Sequence, residues 1–167
     1  MTIAEILLQD FDQEMRGTRT TLERVPEGNP DFRCHDKSMA MGRLAMHVAT
    51  LPRLGSTILT TDSLDLATSK WPPLVFESRE KLLAQFDTLA AEARANLASA
   101  SDEHLQKHWK FTFGDKLIAD VPRSAAYRSM FFNHLIHHRA QLGVYLRLND
   151  VPVPALYGPS ADDSMGF

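Results

Sequence analysis

A chain of 167 residues, 44% hydrophobic and 23% charged, is long enough for one well-buried core and too short for two, so one domain spanning residues 1–167 is expected. Its 18 basic and 21 acidic residues are intermixed and leave a formal net charge of -3, which removes the basic footprint of a nucleic-acid binder. The N-terminus meets Glu5 and Asp10 with no basic run, no stretch approaches the ~18 apolar residues of a membrane span, and Cys34 is the only cysteine, so a cytoplasmic protein with no membrane partner and no disulfide framework is expected.

The hydrophobic period is helical along most of the chain. Ile3, Leu7, Phe11, Met15, Thr18 and Leu22 form a stripe at three- to four-residue spacing, which predicts a first helix ending before Pro26, Gly28 and Pro30. Ser38 is a good N-cap, and a second helix is expected from there to about residue 60, with Ala40, Leu44, His47, Leu51, Leu54 and Ile58 on one face. Pro52 lies inside it and has no N–H for the Val48 carbonyl; it should kink the helix close to His47 and open space there. Residues 63–73, with Trp71-Pro72-Pro73, read as a linker.

An alanine-rich third helix follows over about 76–100, built on Leu82, Phe86, Leu89, Ala93 and Leu97. Trp109, Phe111 and Phe113 then alternate with Lys110, Thr112 and Gly114, and Gly114-Asp115 offers a two-residue turn. That pattern predicts a short hairpin or extended flap over 109–119, packed across one end of the helices. The last helix is expected over 123–149, stopped by Asp150 and the prolines at 152 and 154. Four long helices without a βαβ pattern point to an all-α four-helix bundle.

The histidines carry the chemistry. His134 and His138 stand at i and i+4, so both imidazoles lie on one face of the last helix, one turn apart. On the helical wheel they fall inside or beside the stripe of Tyr127, Phe131, Leu135, Leu142, Tyr145 and Leu146, whereas His137 falls at its edge. His47 sits in the middle of the apolar face of the second helix, where a buried imidazole needs a partner. His104 and His108 share the i,i+4 spacing but are surrounded by Asp102, Glu103, Gln106, Lys107 and Lys110, which reads as a solvated turn. Cys34-His35 lies in a loop flanked by proline and glycine and reads as structural or exposed.

Three inward imidazoles suit zinc, nickel, copper or iron and leave at least one coordination position open, which favours chemistry over a closed structural site. A zincin requires Glu directly after the first histidine of its pair, and Leu135 stands there. A di-iron bundle requires repeated Glu-x-x-His and inward carboxylates, which the stripes lack.

The run Leu44-Ala45-Met46-His47-Val48-Ala49, the run Asn133-His134-Leu135-Ile136-His137-His138-Arg139-Ala140-Gln141-Leu142, Tyr145-Leu146-Arg147 and the tail from Val151 to Asp163 together resemble the DinB/YfiT-like superfamily. The resemblance spans nearly the whole chain. It implies a four-helix bundle, often a homodimer, with a divalent transition metal, zinc, nickel or iron, held by His47, His134 and His138. It also implies relatives that include thiol-dependent enzymes, among them bacillithiol S-transferases and the mycothiol-dependent maleylpyruvate isomerase, in which the metal activates a low-molecular-weight thiol; others have no known activity.

Two functional classes follow. One is a metal-dependent enzyme acting on a small molecule, either a thiol-dependent S-transferase or a hydrolase using metal-activated water. The other is a metal- or small-molecule-binding stress protein without turnover. In the first, the ligand is expected to enter between the second and last helices, under Trp109, Phe111 and Phe113, with Tyr127, Tyr145 and Arg139 supplying hydrogen bonds or counter-charge.

Overall fold

The computed structural model describes residues 1–164. Helix α1 spans Ile3–Leu22 and begins with a reciprocal cap: Thr2 accepts from the Glu5 N–H, and the Glu5 carboxylate accepts from the Thr2 N–H. Its Leu7, Phe11 and Met15 enter the core.

The second helix starts later than Ser38. Helix α2 spans Met41–Thr50, because the Met41 and Gly42 N–H groups donate to the Phe32 and Pro30 carbonyls, so the preceding loop supplies the partners that a side-chain cap would give. Pro52 opens a separate helix, α3 (Pro52–Thr60), at the first helical position, and Leu51 keeps helical angles (φ -58, ψ -31) at the join. The helix is therefore interrupted at the expected place, within a turn or so of His47.

Residues 63–73 are not wholly a linker. Ser63–Asp65 forms a strand, β1, parallel to β2 (His108–Phe113), with Leu64 opposite Phe111. Three residues are too few to show an alternating pattern, which is why the sequence reads as linker there. Helix α4 spans Arg79–Ala98, with Ser78 accepting from the Lys81 N–H, and a short α5 (Asp102–Gln106) follows, capped by Ser101. Strand β3 (Lys116–Pro122) pairs antiparallel with β2 around Gly114, whose positive φ of 55 suits the turn. The hairpin is thus longer than the 109–119 expected.

The last helix is composite: α6 (Arg123–Ala126), a π-helical segment (Tyr127–Phe132) and α7 (Asn133–Leu148). The core lies where α1, α2, α3, α4 and α7 meet, around Phe11, Leu44, Ile58, Phe86, Phe131 and Leu135. The chain is mostly helical with one three-stranded sheet in the order β1-β2-β3, so the all-α expectation holds only approximately. Among the described residues no helix is long and apolar enough to cross a membrane.

Candidate metal centre

His47 projects from α2 beside the break at Pro52, His134 from the first turn of α7, directly after the π-helical segment, and His138 from one turn further on. All three are half-buried, and one ligand nitrogen from each lies within 4.8 Å of the others. The Nε2 atoms of His47 and His134 are 3.3 Å apart. Two imidazole nitrogens bound at about 2.0–2.1 Å to one tetrahedral ion stand roughly 3.3 Å from each other, so this pair already has the separation that a shared cation needs.

Neighbouring groups hold the rings. The His138 Nδ1–H donates to Oε1 of Gln141 at 2.7 Å, which directs Nε2 to the cluster, and His134 donates to the backbone of Met130. Burial pushes His47 down to about 4, helped by repulsion from His138, His134 and Arg43. Burial also lowers His134, with His138 adding to the effect, and lowers His138 against the opposing hydrogen bond to Gln141. Three neutral imidazoles at neutral pH are three available ligands. The cluster contains no carboxylate, so a divalent cation held there would keep its full charge and favour an anionic exogenous ligand.

The other histidines are placed elsewhere. His137 is exposed, its ring centroid 4.8 Å from that of His138. Nε2 of His104 bonds to the Leu59 carbonyl at 2.8 Å, so His104 ties α5 to α3 and is not merely solvated. His108 pairs with Asp120 at 2.8 Å across the hairpin, and His35 accepts from the Lys37 N–H. Cys34 is exposed, and its hydrogen bonding, first with Ser38, holds the thiol pKa below its ordinary range.

A cavity of ≈ 480 Å³ opens beside His47 and His134. Leu54 of α3, Leu64 of β1, Trp109 and Phe111 of β2 and Met130 of the π-helical segment form much of its wall, with Trp71 and Leu74 closing it from the segment after β1. Trp109 and Phe111 stack at 6.0 Å, so the expected aromatic cover exists, but Phe113 is 57% exposed at the hairpin tip and takes no part. Sequence reasoning missed Leu64, Trp71 and Arg53, which all line the cavity; Leu64, Leu66, Trp71 and Leu74 recurring through an otherwise polar stretch are the one signal for that wall, and nothing in the sequence marks Arg53.

The three residues expected to serve a ligand are used otherwise. Arg139 is 2% exposed and faces α1, where it pairs with Glu14 at 2.7 Å and bonds to Thr18 and to the Tyr157 hydroxyl of the tail. The Tyr145 hydroxyl donates to the Met39 carbonyl at 2.8 Å. Tyr127 is fully buried against Phe131 and Phe132 and does not line the cavity; burial pushes its hydroxyl pKa up.

The model of the DinB family matches residues 1–165. The chain belongs to the DinB family. Two solved DinB-like structures share its fold. A DinB-like protein from Bacillus cereus ATCC 10987 is 21% identical with a TM-score of 0.69, over 90% of this chain and 95% of its own. The DinB-like protein YjoA from Bacillus subtilis is 19% identical with a TM-score of 0.68, over 87% of this chain and 94% of its own. A comparison of this DinB-family chain with curated proteins gives no match.

Proposed function

We propose that this DinB-family protein is a metal-dependent enzyme in which His47, His134 and His138 hold one divalent cation and the adjoining cavity holds the substrate. The observation that carries this reading is the juxtaposition of three neutral, oriented imidazoles with an apolar cavity large enough for a small organic molecule. A structural zinc site is normally closed by four protein ligands, and three leave a position open for chemistry. A cation bound there, zinc, nickel or iron, supplies Lewis acidity and lowers the pKa of a coordinated thiol or water.

The chain's residues do the rest. Gln141 and the Met130 backbone fix the rings of His138 and His134. Leu54, Leu64 and Leu74 exclude water, and Phe111, backed by the buried Trp109 on which it stacks, offers a flat wall to an aromatic or other apolar electrophile. The reaction class these features favour is transfer of a low-molecular-weight thiol to such an electrophile, with hydrolysis of an ester or amide as the variant that uses water. The same reading takes the long helices as a four-helix bundle whose copies pair as homodimers in the cytoplasm; exposed Val144 and Leu148 on α7 support an interface there.

Metal-reconstituted protein should accelerate conjugation of a cellular thiol to a chlorinated aromatic, and His47→Ala should abolish that rate while helical circular dichroism is retained. No metal-dependent turnover of a thiol panel, an ester or an amide would favour a non-catalytic metal- or small-molecule-binding protein instead.

A further inference from the structure

Arg53 stands apart from the rest of the cavity wall. It is the one Lys or Arg side chain among the lining residues, no Asp or Glu joins it there, and its guanidinium lies 5.8 Å from the centre of the Trp71 ring. Among the described residues it forms no ion pair, and no hydrogen bond from its guanidinium is found. A cation–π contact uses none of the guanidinium N–H groups as hydrogen-bond donors, and the planar fork they form matches a carboxylate in two parallel hydrogen bonds. The half-buried position weakens screening by water.

We propose that the molecule occupying this cavity carries a carboxylate on an apolar body, with the carboxylate held by Arg53 at the Trp71 side and the apolar part against Leu54, Leu64, Trp109 and Phe111. This deepens the substrate-site reading above and rests on it. A wholly neutral ligand would leave a cation unmatched on an apolar wall, and a strongly polar one would leave the leucines and aromatics without a counterpart. The cation–π contact with Trp71 at 5.8 Å favours this position of the guanidinium before the ligand arrives, so Arg53 acts as a specificity residue.

Both tryptophans of the chain, Trp71 and Trp109, line this cavity, so intrinsic fluorescence reports on it selectively. The probes are 4-phenylbutyrate and its neutral isostere 4-phenylbutyramide, titrated into the full-length protein as purified and after chelation of metal. Wild type should bind the carboxylate about tenfold more tightly than the amide, in both preparations. Arg53→Gln should reduce that preference to less than about twofold, chiefly by weakening carboxylate binding, and Arg53→Lys should restore part of it.

A preference unchanged in Arg53→Gln, no preference in wild type, or no binding of either probe overturns the inference. A preference that survives Arg53→Gln but disappears on chelation assigns the carboxylate to the metal; that refutes the role of Arg53 and supports the three-histidine centre. A preference that survives chelation and vanishes in Arg53→Gln upholds the inference even if the metal reading fails.

Discussion

Acidification should weaken metal binding at this centre far less than it weakens binding by three ordinary imidazoles. Protons compete with the cation for each ring, so affinity falls as pH falls through a ligand's pKa and is unaffected well above it. For independent imidazoles with pKa about 6.5, each retains its free form in only about one part in 11 at pH 5.5, and three together lose roughly 1,000-fold of affinity between pH 7.5 and 5.5. His47, pushed down to about 4 by burial and by its two neighbours, stays neutral throughout that window and contributes no loss. The remaining two rings bound the loss at about 100-fold, and because both are also lowered, the loss should be smaller still. Zinc affinity measured against a chromophoric chelator at fixed ionic strength across this range tests the reasoning. A loss near 1,000-fold would show that the three rings titrate as exposed histidines and that the cluster is not preorganised.

Other consequences are open to direct test. Arg139→Met leaves the buried Glu14 carboxylate without its ion pair and should destabilise the protein by about 3–5 kcal/mol in urea unfolding; a change under about 1 kcal/mol would mean that the residue is freer than its contacts with Thr18 and Tyr157 indicate. At Gly55 an added Cβ would lie 2.9 Å from Cδ1 of Phe131 and 3.3 Å from Cε2 of Tyr127, so Gly55→Ala should cost about 1–3 kcal/mol and lower the melting temperature. Gln141→Ala removes the acceptor that orients His138 and should weaken zinc binding roughly tenfold in the same chelator assay, with unfolding unchanged.

The histidine cluster was legible because two independent patterns agree. The i,i+4 spacing fixes His134 and His138 on one face, the apolar stripe of Phe131, Leu135, Leu142 and Tyr145 turns that face inward, and a second stripe on another helix does the same for His47. Pro52 announced the break between α2 and α3 through its missing N–H. Arg139 was misread because a wheel gives direction without saying which neighbour waits there: one position beyond His138, it turns toward α1 and meets Glu14, a partner 125 residues away. Strand β1 exists only through pairing with β2, and three residues carry no period of their own. The π-helical segment leaves no mark on hydrophobic spacing, yet it ends two residues before His134 and carries Met130 to the cavity. Arg53 and Trp71 are 18 positions apart on either side of β1, and only the folded chain puts them on one wall.

The claim that His47, His134 and His138 form a metal centre is tested most directly by elemental analysis of purified wild type beside single alanine variants. About one divalent transition metal per chain should be found in wild type and in His137→Ala, and should be lost in His47→Ala, His134→Ala and His138→Ala with the helical spectrum intact. Equal metal content in wild type and His138→Ala, or loss in His137→Ala but not in His134→Ala, would contradict it.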